Sequence, residues 1–284
     1  MNKYFFCSDI HSFYTPLMKE LHRKGFDIEN PEHVLVILGD VFDRGTETME
    51  VYNFLRSLSD DRLILIRGNH ESLYKSLLDK PSPDSWDFSN GTVRTFCQIA
   101  GFDEKVLTSS YWHKQEFVDN KPYGEYHDMP IEYWKQIKET VAMSPVTSWI
   151  TSDVWKNYIE TPKYICAHSW IPVSAYVESN LFQRGTIVEN GYREDWRDAT
   201  PTEWEDATWG CPWEKAKRGW NQTGKTIMCG HWHTSDFFNN LTRQRKDMHH
   251  NPIFKSKKYK LIGLDACTVL SGRVNVLVLN EDEL

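Results

Sequence analysis

The run Val34-Leu35-Val36-Ile37-Leu38-Gly39-Asp40-Val41-Phe42-Asp43-Arg44-Gly45 sets five apolar residues directly against two acids and an arginine held between glycines. A short β-rich run that stops at such a cluster reads as a strand whose carboxyl end carries chemistry, because ligands in open α/β sheets gather there. The flanking glycines let backbone approach a ligand while the charges converge on it. The pattern recurs. Residues 4–7 run into Asp9-Ile10-His11, residues 63–66 into Arg67-Gly68-Asn69-His70-Glu71, residues 164–167 into His168-Ser169, and residues 226–229 into Gly230-His231-Trp232-His233. Residues 261–264 and 274–279 also read as strands. Residues 16–24, 47–58 and 71–79 place apolar side chains at three- and four-residue spacing and read as helices. Strand and helix units in alternation predict an α/β fold with a largely parallel sheet.

Side chains two apart in an extended chain share a face, so Asp9 with His11, and His231 with His233, are expected to converge on one cation. Asp-x-His alone arises often by chance. Five polar clusters, each after its own strand, are far more specific than any one of them.

The rest of the chain bounds the possibilities. At 284 residues with 40% hydrophobic and 26% charged positions it suits one large unit, residues 1–284, rather than two independent domains. No apolar stretch approaches the ~20 residues that span a bilayer. The first residues have no small-residue cleavage site and lead straight into Asp9, so no signal peptide is expected. The six cysteines stand singly and read as buried free thiols, which suits a cytoplasmic location. A net charge of −7 argues against broad nucleic-acid binding. Residues 81–162, with tryptophans scattered among polar helix formers, read as a mostly helical insertion or cap, and residues 180–223, with five more tryptophans, as an irregular packed excursion. Most of the 12 tryptophans should serve packing, although some could stack a nucleobase. Histidines outside the clusters, His33 among them, read as surface residues.

Taken in order, Asp-x-His, Gly-Asp-x-x-Asp-Arg-Gly, Gly-Asn-His-Glu, a lone strand-end His and Gly-His-x-His resemble the calcineurin-like metallophosphoesterase superfamily. The Asp43-Arg44-Gly45 and His70-Glu71 extensions resemble its phosphoprotein phosphatase branch, which includes Ser/Thr phosphatases and symmetrical dinucleoside tetraphosphatases. The resemblance covers residues 4–79, 163–174 and 225–279. It implies a two-sheet β-sandwich flanked by helices around a binuclear centre. One divalent cation would take Asp9, His11, Asp40 and His233, the other Asp40, Asn69, His168 and His231, with Asp40 bridging. Oxygen and imidazole ligands suit manganese, iron or zinc, with manganese favoured. Two dications outweigh the carboxylates of Asp9 and Asp40, so an acidic chain can still hold a phosphate there.

The resemblance further implies metal-activated water attacking a phosphate monoester, Arg44 contacting the phosphoryl oxygens, and His70 protonating the leaving group while Asp43 holds its ring. The expected partner is a phosphorylated small molecule, a nucleotide or a phosphoprotein, with no membrane. A diadenosine tetraphosphatase-like or other nucleotide hydrolase is the alternative among enzymes, and an inactive scaffold the alternative outside them. Two positions depart from the branch's pattern: Ser12 stands where Gly is usual, and Trp170 follows Ser169 where a small residue is usual, so Trp170 could narrow the cleft or form a stacking wall. The branch's second phosphate-binding arginine has four candidates, Arg184, Arg193, Arg197 and Arg218.

Overall fold

The structure is a computed structural model that describes residues 1–107, 131–180 and 183–284, without the side chains of 177–187. Trp112, one of the tryptophans of residues 81–162, and the side chain of Arg184 lie outside the described residues.

The strands are β1 (Lys3–Cys7), β2 (His33–Leu38), β3 (Leu63–Ile66), β4 (Trp155–Lys156), β5 (Tyr158–Glu160), β6 (Tyr164–Ala167), β7 (Val173–Asn180), β8 (Gln183–Tyr192), β9 (Thr226–Cys229), β10 (Phe254–Ser256), β11 (Leu261–Gly263) and β12 (Leu277–Asn280). They form one sheet in the order β12-β1-β2-β3-β4, a second in the order β10-β11-β9-β6-β5, and a separate ribbon of β7 with β8. In the first sheet β1 to β4 run parallel and β12 closes one edge antiparallel. In the second, β11, β9 and β6 are parallel between antiparallel edges β10 and β5.

Alternation along β2 explains why the sheets stack. Val34, Val36 and Leu38 meet Cys166, Met228, Ile262 and Leu264 of the second-sheet side, while Leu35 and Ile37 point the other way into the helices. A parallel strand covered on both faces has no polar side, which is why it reads as an unbroken apolar run. Burying each such aliphatic side chain contributes about 1.5–3 kcal/mol. The first sheet's outer face is covered by α1 (Tyr14–Arg23), α2 (Thr48–Ser57) and α3 (Asn69–Asp79).

Helices α4 (Ser85–Asn90), α5 (Thr92–Ala100), α6 (Ile131–Ala142) and α7 (Pro145–Ile150) occupy the mostly helical insertion. Val93 and Phe96 of α5, Trp134 and Ile137 of α6, and Trp149 of α7 belong to the same core as β1 and β2. Downstream, α8 (Pro201–Thr208) and α9 (Pro212–Lys217) cover the second sheet, and α10 (Thr234–Leu241) and α11 (Thr268–Ser271) follow. Residues 180–223 are thus more regular than their composition suggests.

Three expectations need correction. The last strand starts at Leu277, and residues 274–276 have no regular secondary structure. His33 lies buried on β2, where its Nδ1 accepts the Asp27 N–H at 2.9 Å. Trp170 is 1% exposed and packs into the core with Ile165 and Trp196, so it lines no cleft. Among the described residues no helix is long and apolar enough to cross a membrane.

Candidate metal centre

Parallel strands bring their carboxyl ends to one edge, so the loops after β1, β2 and β3 arrive together, and so do those after β6, β9 and β11. Cross-links fix the assembly. The Asp9 N–H donates to the Gly39 carbonyl at 3.1 Å, the His11 N–H to the Asp40 carbonyl at 3.0 Å, and the Gly230 N–H to the His168 carbonyl at 2.7 Å. The His231 N–H joins the two sheets by donating to the Asp9 carboxylate, 3.1 and 3.0 Å from its oxygens. This closeness leaves no room for side chains at two glycines. A Cβ at Gly68 would lie 2.2 Å from Asp40 Oδ1, and one at Gly230 2.1 Å from Asp9 Oδ2.

The loops reach this geometry through left-handed backbone. Asp9, His11, Ser12, Asp40, Asp43, Arg44 and His231 all have positive φ, between 51° and 73°; among the other described non-glycine residues only Lys260 and Cys267 do. Each such residue costs of order 1 kcal/mol, and such residues cluster at functional sites. Asp9 and His11 therefore stand in left-handed backbone beyond β1, not in the strand alternation the spacing suggested. His233, at φ −56°, caps α10 instead of continuing a strand.

Asp40 sits at the centre. Its Oδ2 is 3.7 Å from His11 Nε2 and 4.0 Å from His70 Nε2, and its Oδ1 is 3.4 Å from His168 Nε2. Two sets of donor atoms gather on it, His11 with His70 on one side and His168 with His231 on the other. His11 directs Nδ1 to the Phe42 carbonyl at 3.0 Å and His168 directs Nδ1 to the Leu38 carbonyl at 2.7 Å, so each ring turns Nε2 inward. Asn69 Oδ1 lies 2.9 Å from that His168 nitrogen. Asp9 joins through its bonds from His231. His233 is half-buried, stands outside both donor sets and lies in the field of Asp265.

Electrostatics follow from this burial. Desolvation, then the neighbouring carboxylates, pushes Asp9 and Asp40 well above the usual carboxylate range. Desolvation, reinforced by neighbouring imidazoles, holds His11 and His168 well below their usual value and His231 down at about 4. The imidazoles are thus held neutral, with lone pairs available.

Beside them, His70 Nδ1 bonds Asp43 Oδ2 at 2.8 Å, and Asp43 also accepts from the hydroxyls of Thr92 at 2.8 Å and Thr95 at 2.7 Å. Arg44 Nη2 lies 3.5 Å from His70 Nε2. Glu71 ties the loops underneath by accepting the N–H groups of Gly68 at 2.7 Å, Asp40 at 3.1 Å and Val41 at 3.0 Å. Its place three residues into α3 was a readable capping signal. Asp265, fully buried after β11 with its pKa raised by desolvation, also belongs to this floor. Nothing in the sequence singled out Thr92 or Thr95.

Three arginine candidates are committed elsewhere: Arg193 pairs with Asp195 and Glu203, Arg197 with Glu160, and Arg218 with Glu214. A cleft of about 490 Å³ opens between Ile171–Tyr176 and α8, away from these loops. Its cations, Arg193 and Lys215, are already paired with carboxylates.

Residues 3–235 match the family profile of calcineurin-like phosphoesterases, and the chain belongs to that family. It is accordingly a metal-dependent hydrolase of phosphate esters. Similar solved structures include a cold-active protein tyrosine phosphatase, at 14% identity and a TM-score of 0.53 over 99% of this chain and 75% of that one. Another structure of a cold-active protein-tyrosine phosphatase, from a psychrophilic Shewanella species, aligns at 13% identity and a TM-score of 0.52, covering 99% and 76%. At such identities the likeness is one of fold.

Proposed function

We propose that the chain is a phosphomonoesterase that holds two divalent cations across Asp40, one with Asp9, His11 and His233, the other with Asn69, His168 and His231. The observation that carries this is the disposition of Asp40, whose two carboxylate oxygens face different imidazoles. The donor chemistry fits a cation. The inward nitrogen of His168, the amide oxygen of Asn69 and the carboxylate of Asp40 are acceptors crowded together. Among the described residues Asp9 and Asp40 form no ion pair with a lysine or arginine, although both are buried. Buried carboxylates of this kind call for compensating charge. Manganese is our choice among the metals such ligands suit. A bound pair would supply Lewis acidity to the phosphoryl oxygens and a water of lowered pKa.

The chain's own residues do the rest. Arg44 offers paired N–H donors to the phosphoryl oxygens. Asp43, itself held by two threonine hydroxyls, fixes the His70 ring so that Nε2 faces the site and can hand a proton to the departing alkoxide. His70 also lies among the donor atoms beside His11, but its tie to a carboxylate suits proton transfer. The substrate would be a phosphorylated Ser/Thr side chain or a small phosphorylated molecule. A nucleotide hydrolase is the second possibility, favoured by an exposed tryptophan beside His231. The chain would act as one unit, with the helices of 81–162 sharing the core of the first sheet. A cytoplasmic location accompanies the proposal, in keeping with six free cysteines.

Turnover of a phosphopeptide, a dinucleoside polyphosphate and a bis-aryl phosphate, measured side by side with manganese, separates the substrate classes. Monoester hydrolysis should dominate, and Asp40→Asn should lose both bound metal and roughly a hundredfold or more in kcat. Metal-stripped protein that cleaves monoesters at the full rate would sink the proposal.

A further inference from the structure

Six of the tryptophans are core residues, between 0% and 6% exposed: Trp134, Trp149, Trp155, Trp170, Trp196 and Trp204. Trp209 is different. It caps α8 with 41% of its surface open, yet its indole stands against the imidazole of His231, ring centres 6.1 Å apart and planes at 86°. His231 in turn meets His168 with ring centres 5.1 Å apart. A single imidazole therefore separates an exposed indole from the donor atoms around Asp40.

The indole's mounting is fixed. The Trp209 N–H donates to the Asp206 carbonyl at 3.1 Å, and the Gly210 N–H to the Ala207 carbonyl at 3.3 Å. The Gly210 carbonyl accepts from the Ser169 hydroxyl at 2.7 Å, which ties this turn to the loop of His168. A large, flat apolar surface held at a set distance from a phosphate site pays little ordering entropy when a ring settles on it.

We infer that Trp209 is a specificity residue whose indole stacks the planar aromatic group of a phosphate ester, favouring aryl or nucleobase-bearing substrates over aliphatic ones. This rests on the phosphoesterase site proposed above, since only an ester held there brings its substituent within reach of an indole that stands beside His231. Stacking suits the position. Every aryl or base ring has a π-face, and one stacked ring is worth about 1–3 kcal/mol, equivalent to roughly five- to 150-fold in affinity. An aliphatic alkoxide has no such face.

The test uses hydrolysis-resistant phosphonates, whose C–P bond survives the titration, bound to the full chain in manganese and followed by calorimetry. Benzylphosphonate is compared with butylphosphonate, and the phosphonate analogue of adenosine 5′-phosphate with that of ribose 5-phosphate. The wild-type chain should prefer the aromatic member of at least one pair by about tenfold. Trp209→Leu and Trp209→Ala should both erase the preference, and Trp209→Phe should restore most of it. Equal affinities within both pairs, or a preference that survives in Trp209→Leu, would overturn the inference. Binding does not depend on turnover, so the two ideas fail separately. A chain that hydrolyses monoesters without any aromatic preference overturns only the role of Trp209. One that prefers aromatic phosphonates yet hydrolyses no ester overturns only the proposed reaction.

Discussion

His70 carries the sharpest residue-scale expectation. Its ring is clamped by Asp43 and faces the site through Nε2, so loss of its proton should matter only when the leaving group needs one. His70→Asn should lower kcat on an alkyl phosphate by 10²- to 10⁴-fold and spare an activated aryl phosphate, with metal content unchanged. Equal losses on both, or lost metal, would move His70 among the ligands. Asp43, Arg44 and His70 were legible because their motifs sit at strand ends. Thr92 and Thr95 were not, since two hydroxyls on a helix some fifty positions from Asp43 carry no local signal. The spacing of Asp9 and His11 was read as strand geometry and the backbone is left-handed instead, because apolar patterning is silent about positive φ.

At the scale of elements, Glu71 decides how α3 meets the Asp40 loop. Glu71→Gln would place an amide N–H₂ where backbone N–H groups now find an acceptor, and should cost about 1–3 kcal/mol in urea unfolding while lowering turnover. A second joint, where Glu160 of β5 meets Arg197 and Lys225, should respond to pH. Hydrogen bonding to Arg197 leads in lowering the Glu160 carboxyl to about 2, from an ordinary value of about 4.3. The folded state thus favours the ionised form, and the stability it contributes is present above about pH 4.3 and lost as pH falls through about 2. The stability gap between wild type and Glu160→Gln, up to about 1 kcal/mol, should be full at pH 6 and largely gone near pH 2; a gap independent of pH would contradict this. The strands that announced themselves were the doubly covered ones. Two- and three-residue edges such as β4 and β5 are too short to show a pattern, and β7 and β8 form a ribbon apart from the sandwich, so no continuous apolar run marks them.

For the whole molecule, the consequence lies in the buried carboxylates and neutral imidazoles that meet between two sheets. A ligand that binds only the folded state raises its stability, by about 2.7 kcal/mol at a hundred times its Kd. Adding manganese to stripped protein should therefore raise Tm by about 5–10 °C, and a chelator should reverse the change. No shift with any divalent ion would argue against a metal centre. How the helices of residues 81–162 dock was invisible beforehand, because Trp134 and Trp149 could as easily have packed among themselves in a separate lobe. The seven left-handed residues carry a last implication for anyone who engineers this chain. Selection for heat resistance would find easy gains by relaxing those turns, and each gain would draw the side chains around Asp40 out of register. Robustness and catalysis should trade against each other most steeply in these loops.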